Sequence, residues 1–194
     1  MTTRPIKTAT PSDQDHIIAV LVLAFGTDPG ARWIYPDPHQ YLSSFPEIVR
    51  AFGGGAFEHG TAHYVDGFFG AALWLPPGVK PREDEMMALM QRTVSESTLE
   101  DFGSVIERAS RYRPTEPHWY LPLTGVDPAH QGSGYGSALM KHALMALDRE
   151  RKLAFLESTN PRNVSFYQRH GFEVLGTVQV GSSPTSFSML RRPR

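Results

Sequence analysis

Val126-Asp127-Pro128-Ala129-His130-Gln131-Gly132-Ser133-Gly134-Tyr135-Gly136 is the stretch on which the fold reading turns. The residues before it, Trp119 to Val126, read as a strand in spite of Pro122. Those after it, Ser137 to Lys152, read as a helix with Leu139, Met140, Ala143, Leu144 and Leu147 on one face. Glycines at 132, 134 and 136 let successive backbone amides converge at a helix start without Cβ obstruction. Such a nest, backed by the helix dipole, suits a phosphate or pyrophosphate. The same glycines would also serve a tight turn that binds nothing. Two other phosphate motifs fail on spacing: a dinucleotide fingerprint from Gly132 needs glycine where Ser137 stands, and no lysine is placed for a P-loop.

Downstream, Ala154 to Glu157 is a short apolar strand and Val164 to His170 a helix that Gly171 stops. Phe172 to Val180 and Ser186 to Leu190 are closing strands. Arg191-Arg192-Pro193-Arg194 reads as a solvated tail. Strand, glycine loop, helix, strand is an α/β pattern with its loop at the carboxyl end of a strand.

Upstream, Arg4 to Thr8 is a short strand that Pro5 confines to an edge. Ser12 and Asp15 resemble a capping box before Ile17, Val20, Leu21 and Ala24 at helical spacing, and that helix ends near Gly26. Ala31 to His39 is expected to be an ordered loop, and Gln40 to Phe52 a helix in which Pro46 argues for a break. Ala62 to Val65, the turn Asp66-Gly67 and Phe68 to Leu75 predict a hairpin. Glu83 to Glu96 and Leu99 to Arg111 are amphipathic, a helical insertion spanning about 80–112 between the third and fourth strands. The expectation is one domain over 1–194, with a core for the bound group over about 113–190.

A formal net charge of -1 gives no electrostatic reason to expect a nucleic-acid partner or an anionic membrane. The count of cysteines is 0, which removes disulfides, thiolate metal sites and a cysteine nucleophile together and fits a cytoplasmic setting. The apolar run Ile17 to Phe25 is far below the roughly 18 residues of a membrane span. His59 and His63 flank Gly60 where no helix is expected, so no metal is anticipated.

The glycine stretch resembles the acetyl-CoA signature of the GNAT N-acetyltransferases, whose Gln/Arg-x-x-Gly-x-Gly/Ala core matches Gln131 to Gly136. The second half of that pattern is also present as Asn160, Tyr167 and Gly171-Phe172. Arg113-Pro114, Glu116-Pro117, Trp119, Phe155-Leu156-Glu157, Pro161-Arg162-Asn163 and Phe166 look closer still to the puromycin N-acetyltransferase branch.

The resemblance implies a single GNAT-like α/β domain with a mixed central sheet splayed at a cofactor cleft. It implies direct transfer of acetyl from acetyl-CoA to the amine of a small molecule, with no metal. Thr124 and Val126 match the strand that pairs with the pantetheine arm. Gln131, Gly132, Ser133, Gly134, Tyr135, Gly136 and Ser137 match the pyrophosphate loop, although many relatives carry a basic residue where this chain has Ser133. Asn160 matches the asparagine at the pantetheine end, and Asn163 is counted with it among the cofactor-binding residues. Tyr167 matches the usual proton donor to the departing thiolate, and a tyrosine, protonated at neutral pH, is suited to it. Glu157 is the first candidate for the base, with His118 and Tyr120 as alternatives. The aromatic segment Trp33 to Tyr35, with Asp28 and Asp37, lies where relatives build the acceptor pocket, with ordinary packing as the competing reading. Met86, Met87 and Met90 read as core of the insertion. A non-catalytic acyl-CoA-binding module and an O-acyltransferase are the alternative functions. Oligomeric state is left open, a homodimer being among the options.

Overall fold

A computed structural model describes residues 4–194. Its framework is a seven-stranded sheet in the order β1-β2-β3-β4-β5-β7-β6, built from Ile6–Thr8 (β1), Ala62–Val65 (β2), Gly70–Leu75 (β3), His118–Val126 (β4), Leu153–Ser158 (β5), Glu173–Val178 (β6) and Ser186–Arg191 (β7). Only β4 and β5 run parallel; every other pair is antiparallel. Alternation along β3 divides the core: Ala71, Leu73 and Leu75 join one buried cluster, Ala72 and Trp74 the other.

Helices α1 (Gln14–Phe25), α2 (Pro29–Ile34), α3 (Pro38–Gly53), α4 (Gly55–Glu58) and α5 (Glu83–Thr93) bury residues in the first cluster. Helix α6 (Glu96–Ser110) packs Leu99 and Phe102 against it. The helices α7 (Tyr135–Arg149) and α8 (Pro161–Arg169) cover the other face. The mixed sheet and the insertion of α5 and α6 between β3 and β4 are as expected from sequence, and helices cover both faces of the sheet.

Several local expectations are corrected. The capping box is formed by Thr10 and Asp13, whose carboxylate accepts from the Thr10 N–H at 2.8 Å, not by Ser12 and Asp15. The segment 31–39 is largely helical. Asp28 caps α2 and Asp37 caps α3, each followed by proline at the first helical position, where its fixed φ and missing N–H cost nothing. Pro46 lies inside α3 without ending it, since burial of Tyr41, Phe45, Ile48 and Val49 holds the helix to the core. The hairpin connection runs from Asp66 to Phe69, with Gly67 and Phe68 both at positive φ, so β3 starts at Gly70 rather than Phe68.

Of the arginine-rich end expected to be a solvated tail, Arg192 and Arg194 are exposed, but Arg191 is not. Arg191 is 3% exposed and donates from both terminal nitrogens to Asp148 at 2.7 Å, holding that carboxyl below its ordinary range. Its Nε also donates to the His170 carbonyl. Arg191 is the last residue of β7, and its alternation sends the side chain inward.

His63 on β2 meets His142 on α7 edge-on at 4.7 Å between ring centroids. Burial, with the His142 charge adding to it, pushes the His63 pKa down to about 4. An unfolded histidine titrates near 6.5, so above that pH neither state holds the proton. Between about 6.5 and 4 only the unfolded chain takes it up, and stability falls as pH falls through that window. The loss expected, allowing for partial exposure, is on the order of 2 kcal/mol. Thermal melts from pH 7 to 4 should show His63→Leu losing less stability than the parent chain. Identical slopes would refute this.

Candidate active site

Strand β4 pairs with β5 only at His118, Trp119 and Tyr120, against Leu153, Ala154 and Phe155. Beyond that point β4 continues to Val126, paired with β3 alone. The divergence begins at a bulge: Leu75 opposes Tyr120, yet Leu73 opposes Leu123. The extra residue resets the alternation, so that Tyr120 and Leu123 share one face while Leu121 takes the other. Pro122, which has no N–H to contribute to a ladder, sits at this bulge. The backbone of Thr124, Gly125 and Val126 therefore has one edge free, and it faces a cleft of about 530 Å³.

The glycine loop closes one end of the cleft. Asp127 accepts from the Ala129 N–H and from His130, whose ring stacks on Phe69 at 4.1 Å. Gln131 donates to the Val126 carbonyl at 3.3 Å. Gly132 and Gly134 stand at φ of +77° and +83°, with no atom within 4 Å of the place a Cβ would occupy. Gly134 is the N-cap of α7, and the first helical bond runs from Ala138 N–H to the Gly134 carbonyl. The amides of Tyr135, Gly136 and Ser137 are thus left over at the helix start, beside the cleft. Open space above two left-handed glycines, next to free amides and a helix dipole, fits an anion such as the pyrophosphate of CoA.

Gly136 serves differently from the reading of three equivalent glycines. It is already inside α7, and a Cβ there would touch the Phe166 ring at 3.4 Å, so it permits α7 and α8 to approach. Ser133 is exposed and does not line the cleft. Thr124, Val126, Gln131, Gly132, Gly134, Tyr135, Gly136, Ser137, Asn160 and Asn163 all do.

Two cations that sequence reasoning missed, Arg162 and Arg169, line the same cleft from α8. The loop has no basic side chain at 133, and these arginines bring positive charge from α8, which packs against the start of α7. Their signal in sequence was their placement on either side of Tyr167 on one helix.

Asn160 caps α8 by accepting from the Arg162 N–H at 3.1 Å, with Pro161 at the first helical position. Helix α8 therefore starts earlier than the expected Val164. Tyr167 is 7% exposed and packs on Phe166 and Phe172, while its side chain borders the cleft. Among the described residues its hydroxyl has no hydrogen-bond partner. Burial raises its pKa well above the ordinary tyrosine value, and the Asp28 charge adds to this. The phenol stays protonated. Asp28 is itself pushed up by burial, although the Ala31 and Gly30 amides and the Thr159 hydroxyl stabilise its carboxylate.

Glu157 is not in this cleft. It follows Phe155 in the alternation of β5 and borders a second cavity, about 260 Å³, enclosed by α5, α6 and β4. Its Oε2 accepts from the Tyr120 hydroxyl at 2.8 Å and lies 3.5 Å from Arg113 Nη2. The Arg113 guanidinium stacks over Tyr120 at 4.8 Å. The expected acid and base thus stand at different cavities, Tyr167 with the α7 and α8 face and Glu157 with the other. His118 turns away, its Nδ1 bonded to the Glu116 carbonyl and its ring against Phe155.

The aromatic segment Trp33 to Tyr35 expected near the acceptor borders neither of these two cavities. Tyr35 is fully buried with its hydroxyl on Thr93, Trp33 donates to Ser182, and Asp37 is a helix cap. Met86 and Met90 are core as expected, Met86 also bordering the second cavity, whereas Met87 borders that cavity without joining the core.

Residues 99–174 match the family model described as an acetyltransferase (GNAT) domain. Among solved structures, the chain is similar to the histone acetyltransferase HPA2 and related acetyltransferase from Corynebacterium glutamicum. Identity there is 24% and the TM-score 0.71, with 100% of this chain and 98% of that one covered. It is also similar to the Drosophila melanogaster polyamine N-acetyltransferase, at 16% identity, TM-score 0.62 and coverage of 97% and 99%. For arylalkylamine N-acetyltransferase 2 from Aedes aegypti the values are 13%, 0.65 and 100% of both chains. At these identities the likeness is one of fold, and the fold is the single α/β GNAT domain.

Proposed function

We propose that this chain uses its GNAT acetyltransferase domain to move acetyl from acetyl-CoA to the amine of a small molecule by direct attack. The observation that carries the reading is the opening between β4 and β5, with free amides and Gly134 at one end and the unpartnered Tyr167 hydroxyl on its wall. Solved structures of like fold include a polyamine and an arylalkylamine N-acetyltransferase, which favours nitrogen as the acceptor. Kinship with the puromycin branch rests on the Arg113 to Tyr167 pattern alone.

Bound acetyl-CoA would supply an acyl carbon activated as a thioester. The free edge of Thr124 to Val126 would align the pantetheine arm, and the loop amides with Arg162 and Arg169 would hold its phosphates. Glu157, held by Tyr120 where β4 and β5 part, would accept from the other side of that opening the proton that an ammonium must lose before attack. Glu157 would pass that proton to solvent and take the second one that the nitrogen loses as the new C–N bond forms, releasing it in turn. As the C–S bond breaks, Tyr167 would give its proton to the sulfur and recover one from solvent. Amine and thioester become amide and thiol, and the protein ends unchanged.

CoA at a hundred times its dissociation constant should raise the melting temperature by about 5 to 10 °C. Acetyl-CoA with a panel of amines, aminonucleosides and alcohols should release free thiol with amines. Stabilisation without turnover on any acceptor would indicate a binding module, and turnover on alcohols alone an O-acyltransferase. If CoA neither binds nor stabilises, the reading fails.

A further inference from the structure

The cavity at Glu157 has walls of unusual character for a site beside catalytic chemistry. Phe52, Met86, Met87, Phe102 and Ile106 line it, and Ile106 remains 43% exposed at its mouth. An uncovered isoleucine on a concave apolar surface marks a place where something apolar docks. At about 30 Å³ per water, the 260 Å³ would hold about nine, which suits one ring or a short alkyl chain.

Charge is distributed unevenly in it. Glu83 and Glu157 both border the cavity, against the single cation Arg113. Arg113 is already engaged, stacked on Tyr120 and facing Glu157. The excess is negative and lies at the Tyr120 end, while the α6 wall of Phe102, Gly103 and Ile106 carries no charge. One ammonium is therefore accommodated at the carboxylates, and a second along that wall would lose water with no partner.

Gly103 supports the same conclusion from the backbone. It lies in the middle of α6, where glycine lowers helix stability relative to alanine, and its φ is not in the left-handed region. No atom stands within 4 Å of the position its Cβ would take. Neither backbone geometry nor packing asks for glycine here. Gly103 is exposed and borders the cavity, so a large side chain here would reach over its opening.

We propose that this cavity is the acceptor pocket and that the acceptor is a monoamine on a compact apolar body. The body lies between α5 and α6 and the nitrogen at Glu157. This rests on the acetyl-transfer reading above. It differs from the polyamine preference that one structural relative's name carries.

The test uses hexylamine and phenethylamine against putrescine and agmatine, with saturating acetyl-CoA and free thiol as the readout. The apolar monoamines should show kcat/KM at least about tenfold higher, the scale of one buried apolar group. Gly103→Trp should raise the acceptor KM by tenfold or more, with the CoA dissociation constant from calorimetry unchanged. Ile106→Glu, at an exposed position that tolerates charge, should shift the ratio toward putrescine. Calorimetric binding of phenethylamine, lost in Gly103→Trp, provides a readout independent of turnover. Preference for the diamines, or a folded Gly103→Trp with unaltered acceptor KM and binding, would overturn the pocket while leaving acetyl transfer intact. Failure of CoA to bind, with phenethylamine still captured at this cavity, would remove the acetyl-transfer reading and leave the apolar-amine site standing.

Discussion

Replacing Tyr167 by phenylalanine is expected to lower turnover by about 10² to 10³, with the CoA dissociation constant altered by less than about twofold. The ring would remain packed on Phe166 and Phe172, so the cleft wall keeps its shape. Only the hydroxyl is lost, and in the parent chain it has no partner within the described residues. No buried polar group is orphaned by its removal, so stability should change little. The effect is confined to the step in which sulfur leaves. A thiolate has to be protonated on departure, and burial with the Asp28 charge keeps the phenol in the form that can donate. Single-turnover measurement of thiol release separates this step from binding. Unchanged release would take Tyr167 out of its assigned role.

Gly134→Val is expected to abolish measurable CoA binding, a loss of at least about 10²-fold, and to lower the melting temperature by several degrees. Two causes act together. At φ of +83° a β-branched residue strains the backbone by about 1 to 3 kcal/mol. A Cβ here would also project into the open space where the anion would meet the amides of Tyr135, Gly136 and Ser137. Gly136→Ala is the control that carries neither cause, because its φ is ordinary and its Cβ would meet the Phe166 ring rather than the loop opening. Calorimetry with CoA and a melting curve on each variant give the comparison. Normal affinity in folded Gly134→Val would contradict the assignment of the loop.

Much of this site could be read from the chain because its parts are local. A glycine at a helix N-cap, an asparagine before Pro161 and a tyrosine one helix turn from its end are features of neighbouring residues, governed by backbone rules that hold within a few positions. Where local reading went astray, local signals had been passed over. Asp28-Pro29 and Asp37-Pro38 are both cap-and-proline pairs, and they turn the expected loop into two helix starts.

The placement of Glu157 was beyond such rules. Its position at the end of β5 follows from sequence, but its face depends on a strand's alternation against a sheet assembled from residues far apart in the chain. The same is true of Arg191, whose pairing with Asp148 spans β7 and α7. It is also true of Arg162 and Arg169, which matter because folding brings them to the same cleft as a loop with no basic residue at 133.

The donor end of the proposed reaction is therefore a matter of sequence: the loop at Gly132 to Gly136 and the segment Asn160 to Phe172 carry their own geometry, whatever surrounds them. The proposed acceptor end is a matter of tertiary structure. Glu83, Met87, Gly103, Arg113 and Glu157 come from β4's approaches, β5 and two inserted helices, and become one pocket only when the core packs them together. Backbone turns are encoded by short-range sterics, whereas a cavity is what long-range packing leaves unfilled.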